Sequence, residues 1–352
     1  MKLKKKLILN LFRLYRRNQA RLHPLNYLFW ECTLRCNLNC VHCGSDCSKE
    51  MQTPDMPLAD FLKVLDTVTP HVDPHRTTVV LTGGEPTLRP DLAEIGEAIA
   101  RREYPWGMVT NAYALTPALF SRLMAAGLRS LTISLDGLGP EHDWFRGRSG
   151  SYERALNAIR IAAQTPGLVF DVATCVHQRN ISSLPLMRSM FEDIGLKRWR
   201  LFIVFPKGRA KDNPELQLNG EQFRYVYDFI VETRKQGKIL ANAGCEGFLG
   251  DYELEARSYP FFCQAGIHIG SVLVDGSISA CPSLRADYIQ GNIYTDDFWD
   301  VWENRFRIMR DRRWTKTGKC ATCKVYKWCE GNGLHLRDET TGALLQCHYE
   351  KL

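Results

Sequence analysis

Trp30 to Ser48 reads WECTLRCNLNCVHCGSDCS and holds Cys36, Cys40 and Cys43 in the spacing C-x3-C-x2-C. Three thiolates this close together can grip three corners of a four-iron cluster and leave the fourth iron free. The stretch follows a short apolar run, Tyr27 to Trp30, placing the loop at the end of a first strand. Zinc is the alternative tenant, but a structural zinc site favours four closed protein ligands, often two CxxC pairs. Cys32 and Cys47 are near enough in sequence to offer a fourth ligand.

Composition narrows the setting. The chain has 352 residues, 45% hydrophobic and 24% charged, enough for one large α/β domain and a smaller one. Its thirteen cysteines are out of proportion for a soluble protein. Without the charged start, apolar middle and small-residue cleavage site of a secretion signal, they read as metal or iron–sulfur ligands in a cytoplasmic protein. Residues 1–30 hold eight Lys and Arg and no acid, leaving 38 basic against 39 acidic residues in the rest. The net charge of +7 therefore belongs to the N-terminal segment, and a nucleic-acid-binding body is disfavoured.

That segment, residues 1–26, reads as a basic amphipathic helix ending near Pro24, with Leu7, Leu11, Leu14 and Tyr15 sharing one face. Its apolar run, Leu7–Phe12, is too short to cross a bilayer. Two roles fit it: residues 1–22 lie against the inner face of the membrane or meet an acidic partner, or the helix simply covers the bottom of the body.

From Tyr27 the chain alternates strand and helix patterns. Strands are predicted at 27–33, 77–82, 105–110, 129–135, 168–176 and 199–205, with helices at 57–69, 90–103, 116–126, 151–164 and 183–195 between them. Thr116-Pro117 and Ser151 mark two helix starts. Six such units predict a parallel sheet curved into a partial (β/α)6 barrel of the TIM type, with function at the carboxyl ends of its strands. This core spans residues 27–215, a linking helix and loop 216–262, and a cysteine-rich region 263–352.

The second strand ends in Thr82-Gly83-Gly84-Glu85-Pro86, where glycines allow close backbone approach and Glu85 is available to orient a ligand. Thr110-Asn111-Ala112 ends the third strand, Ser134-Leu135-Asp136-Gly137 the fourth, and His142 to Gly147, HDWFRG, follows. Cysteine triplet and GGEP together closely resemble the radical S-adenosylmethionine (SAM) superfamily. The resemblance implies that the free iron holds SAM and that His42, Gly83, Gly84, Glu85, Pro86, Asn111, Ser134, Asp136 and Arg146 belong to the SAM site. Ala112 departs from the family's TNG, which is expected to shift that loop.

Near the C-terminus, Cys263, Gly276 and Cys281 give C-x12-G-x4-C, Cys320, Cys323 and Cys329 give C-x2-C-x5-C, and Cys347 comes last. This resembles the SPASM extension, which carries auxiliary four-iron clusters in maturases of peptides and proteins. By the resemblance, Cys320, Cys323, Cys329 and Cys347 hold a distal auxiliary cluster. Cys263 and Cys281 belong to a second, whose further cysteine is replaced here by Gly333. Cys245 joins it, His335 substitutes, or that cluster is absent; the sequence leaves all three open.

The activity implied is reductive cleavage of SAM to a 5′-deoxyadenosyl radical, fed by a flavodoxin- or ferredoxin-type donor, and hydrogen abstraction from a peptide or protein side chain. Haem or tetrapyrrole side-chain chemistry is the rival enzyme reading. A multi-cluster electron carrier is the non-enzymatic one.

Overall fold

The computed structural model describes all 352 residues. Helix α1 (Leu3–Leu22) precedes strand β1 (Tyr27–Thr33), and the alternation follows: α2 (Leu58–Val68), β2 (Thr78–Gly83), α3 (Leu92–Ala100), β3 (Trp106–Thr110), α4 (Pro117–Ala125) and β4 (Leu128–Ser134). Then come α5 (Pro140–Arg146), α6 (Ser151–Ala163), β5 (Val169–Val176), α7 (Leu184–Ile194) and β6 (Arg198–Ile203). All six predicted strands are present, and neighbours in sequence pair in parallel.

The sheet is larger than six strands. Segment 216–262, expected as a linking helix and loop, contributes α8 (Gly220–Gln236) and a seventh parallel strand, β7 (Leu240–Ala243), beside β6. The cysteine-rich region adds β8 (Ile269–Val272) in parallel beside β1, then β9 (Ser277–Ser279) and β10 (Gly291–Asn292) antiparallel. The order is β10-β9-β8-β1-β2-β3-β4-β5-β6-β7, an open curved sheet with free edges at β7 and β10. The two regions drawn as separate from the core thus share its sheet. Four residues of β7 and β8 carry too short an apolar pattern to be read as strands.

Alternate strand residues face the outer helices, as a two-residue period requires. Trp199 of β6 meets Phe191 of α7 and Phe229 of α8 edge-on, at 5.0 and 5.7 Å between ring centres. Trp30 of β1 stacks on Phe61 of α2 at 4.2 Å. These contacts belong to one core of 61 buried side chains that runs from β1 to the last helices.

Local signals fared unevenly. Thr116 caps α4 as read, its hydroxyl accepting from Leu119 N at 3.2 Å. Ser151 is not a cap; Gly150 holds that place and Ser151 opens the helix. Asp143 from α5 takes the orphan donors, accepting from Gly150 N, Ser151 Oγ and Tyr152 N at 2.6–2.8 Å. An ionised carboxylate at a helix N-terminus is a stronger acceptor than a hydroxyl and suits the dipole. No helix is long and apolar enough to cross a membrane.

Candidate active site

β1 runs into the cysteine loop at the mouth of the sheet, and four neighbouring segments pin that loop. Gly84 N and Glu85 N donate to Thr33 O and Arg35 O at 2.7 and 2.9 Å, continuing the β1–β2 ladder up to Cys36. A Cβ on Gly84 would stand 2.1 Å from Arg35 O, so only glycine permits this approach. The double glycine therefore brings β2 against the cysteine loop. On the other side, Asn39 N and Val41 N donate to Arg146 O and Phe145 O at 3.2 and 3.0 Å. Gly147, with φ of 65°, faces Asn39 O at a distance a Cβ would reduce to 2.3 Å. Arg148 Nη1 donates to Asn37 O, and Arg209 Nε to Cys40 O.

Glu85 is wholly buried, and both of its carboxylate oxygens accept hydrogen bonds. It accepts from Thr87 N, Thr87 Oγ, Thr110 Oγ and Asn111 N at 3.1, 2.6, 2.6 and 2.7 Å. Burial pushes its carboxyl up, and these four donors oppose that. Its task is to fasten the ends of β2 and β3 together. Asn111, thus held, points its amide at Asn37 Oδ1 (2.9 Å) and at Cys36 Sγ (3.7 Å). Ala112 adopts the left-handed conformation that glycine takes without strain, at φ 59° and a cost of about 1–2 kcal/mol.

Arg146 and Asp136 form a buried ion pair, with Arg146 Nη1 3.7 Å from Cys40 Sγ. Asp136 also accepts from Cys175 N at 2.7 Å, and Ser134 stands just before it at the end of β4. The guanidinium fork faces this aspartate and a cluster cysteine. His42 stacks on Phe145 at 4.0 Å, and Phe145 on His177 at 4.2 Å.

Two buried histidines here predict acid sensitivity. Burial pushes His142 and His177 down to about 4, and each uses Nδ1 as an acceptor, from Asp136 N and Arg179 N respectively. Their folded pKa lies below the unfolded value near 6.5, so their stabilising contribution is complete above that pH and lost as pH falls toward 4. Each is expected to remove about 1.4 kcal/mol per pH unit within that window. Urea titrations at several pH values check this; His142→Gln and His177→Gln should each flatten the slope.

The donor sets fit iron–sulfur chemistry. Cys36, Cys40 and Cys43 share one apolar cluster with Leu34, Leu38 and Cys47. Burial pushes Cys36 up to about 12 and raises Cys40, while a hydrogen bond from Cys47 brings Cys43 down to about 5. A bound cation reverses such burial by binding thiolate.

Cys320, Cys323, Cys329 and Cys347 line a single cavity of about 200 Å³. Arg337 Nη2 donates to Cys320 Sγ (3.5 Å) and Asn332 N to Cys329 Sγ (3.2 Å). Cys245 lies within charge-interaction range of Cys263 and Cys281 but is itself exposed, while those two are half-buried. Burial pushes the Cys281 thiol up to about 11, and Cys263 beside it adds to this. At Gly333 a Cβ would meet both Glu246 O and His335 Cε1 at 2.7 Å, so the His335 imidazole fills the space of the absent side chain.

One polar group was not singled out in the sequence. Arg200 on β6 lies on the sheet face opposite Trp199, turned into the barrel. It pairs with Asp171 on β5, and Nη2 donates to Thr132 on β4 at 2.8 Å. Nη1 makes no bond to protein and is free for a ligand. The three residues sit on three strands, so no local spacing connects them.

Family comparisons agree with this geometry. The Radical SAM superfamily model matches residues 30–188, and that of the SPASM iron-sulfur cluster-binding domain matches 263–324. The chain is 29% identical over 322 residues to the AdoMet-dependent heme synthase of Methanosarcina barkeri, covering 86% of this chain and 89% of that one. It is 28% identical over 320 residues to the mycofactocin maturase MftC of Mycobacterium tuberculosis, covering 86% and 77%. Among solved structures, Streptococcus suis SuiB bound to its precursor peptide SuiA superposes with a TM-score of 0.71 at 15% identity, over 94% of this chain and 78% of that one.

Proposed function

Since the chain belongs to the radical SAM superfamily and carries a SPASM domain, we propose that this enzyme abstracts hydrogen from a peptide or protein side chain. When bound, SAM and the iron–sulfur clusters supply the electron and the 5′-deoxyadenosyl radical. The chain's own residues do the positioning. Glu85 and the Gly84 contact hold the cysteine loop in place, and Asn111 and Arg146 aim donors at Cys36 and Cys40. His42, Gly83, Pro86 and Ser134 are proposed to complete the SAM site around them.

The observation that carries the reading is the placement of the Cys36–Cys40–Cys43 loop at the carboxyl ends of a parallel sheet. Kinship with a maturase favours a peptide substrate. Arg200, anchored by Asp171 with Nη1 free, suits a substrate carbonyl or carboxylate inside the barrel. A reduced flavodoxin or ferredoxin is the proposed electron donor. Kinship with heme synthases favours a second reading, tetrapyrrole side-chain chemistry, in which Arg200 would take a propionate.

Reconstituted protein incubated with SAM and dithionite should release 5′-deoxyadenosine; none would sink the enzyme reading. Candidate peptides and an iron porphyrin bearing propionates are then compared by mass spectrometry. Loss of hydrogen from the porphyrin alone would replace the peptide reading with the second.

A further inference from the structure

Helix α1 has two faces, and the structure turns the less expected one inward. Leu9 is buried with Phe248, Phe261 and Trp328. Arg16, 4% exposed, pairs with Glu330 at 2.5 Å and donates to Trp328 O at 2.7 Å. Asn10 Oδ1 accepts from Trp328 Nε1 at 2.9 Å, and Lys5 pairs with Glu255 at 2.7 Å. These contacts along the helix fix its rotation.

Outward go the leucines. Leu3, Leu7, Leu11, Leu14 and Leu22 are 83, 59, 59, 58 and 55% exposed. Steps of four, four, three and eight residues put them in one stripe. Around it stand Lys4, Lys6, Arg13, Arg17 and Arg21, none paired with an acid, on a helix that contains no acid. A helix serving only as a cover would bury this stripe, and half a turn of rotation would do so. The leucines expected to share a face do share one, and it is the solvent face.

An occupant must match both features. An acidic protein would satisfy the cations and leave the leucines in water. A second copy of this chain would bring its own unpaired cations against these. An anionic lipid surface meets both, with leucines at the acyl boundary and Lys and Arg among the headgroups. We propose that α1 holds the enzyme on an anionic membrane surface through Leu3, Leu7, Leu11 and Leu14, lying in the interface along its roughly 30 Å length. The distal cysteine set stands close behind it, since Cys329 packs in the same cluster as Leu9. The proposal is independent of the substrate.

The test is co-sedimentation of the full chain with phosphatidylcholine vesicles, with and without about a third phosphatidylserine. Anionic vesicles should bind the wild type at least about tenfold more strongly, weakening in about 0.5 M salt. The triple variant Leu7→Ser, Leu11→Ser, Leu14→Ser should lose about tenfold or more of that binding. All three positions are exposed, so its circular dichroism and iron content should match the wild type. Equal binding to neutral and anionic vesicles would overturn the proposal, as would a triple variant that binds like the wild type. A wild-type dimer in sedimentation velocity that the triple variant abolishes would assign the stripe to a second copy instead.

Discussion

Replacing Asp136 with alanine is expected to cost about 3–5 kcal/mol of folding stability, read as a lowered urea midpoint. Asp136 is wholly buried and Arg146 is 9% exposed, so removing the carboxylate strands a cation without solvent. Burial alone would raise the Asp136 carboxyl, yet Arg146 and the nearby histidines bring it below its ordinary value. Truncation also leaves Cys175 N without its acceptor. The double variant Asp136→Ala, Arg146→Met should recover part of the loss, because an apolar pair replaces an unpaired charge. If the double variant is no more stable than the single one, the pair is not what holds this corner. Because Arg146 O also accepts from Asn39 N, the cysteine loop is expected to loosen with it.

The second large effect is on chemistry. Cys40→Ala should reduce 5′-deoxyadenosine formation to the level seen without enzyme and remove one cluster, about four irons per chain. Cys320→Ala should remove a similar amount of iron from the cavity lined by four cysteines while a single turnover of SAM cleavage survives. Iron and sulfide analysis beside product quantification separates the two. Equal loss of product in both would mean that the distal set is needed to assemble the first. Cys263→Ala adds the missing count, since a further loss of iron would establish a cluster on Cys245, Cys263 and Cys281.

These effects show where the sequence spoke clearly. The C-x3-C-x2-C loop, GGEP, and the C-terminal cysteine spacings are local patterns whose chemistry depends on residues a few positions apart. They sufficed for the six parallel strands, and they pointed to the three cysteines at the mouth and to four that line one cavity. Ligand spacing within a loop survives any detail of packing, which is why it can be read without a structure.

Roles that depend on which segments meet were decided only by tertiary structure. Glu85, read in the sequence as available to orient a ligand, is shown by tertiary structure to tie β2 to β3 through Thr87, Thr110 and Asn111. Gly84 serves a backbone contact with Arg35, 49 residues away in sequence. Arg200 is fixed in place only because Asp171 and Thr132 stand on adjacent strands. In α1 the 3.6-residue period correctly grouped the leucines, but periodicity has no sign: it says which residues share a face, not which face is turned to the protein. Contacts of Leu9, Asn10 and Arg16 with residues more than 230 positions away chose that, and they turned the stripe outward.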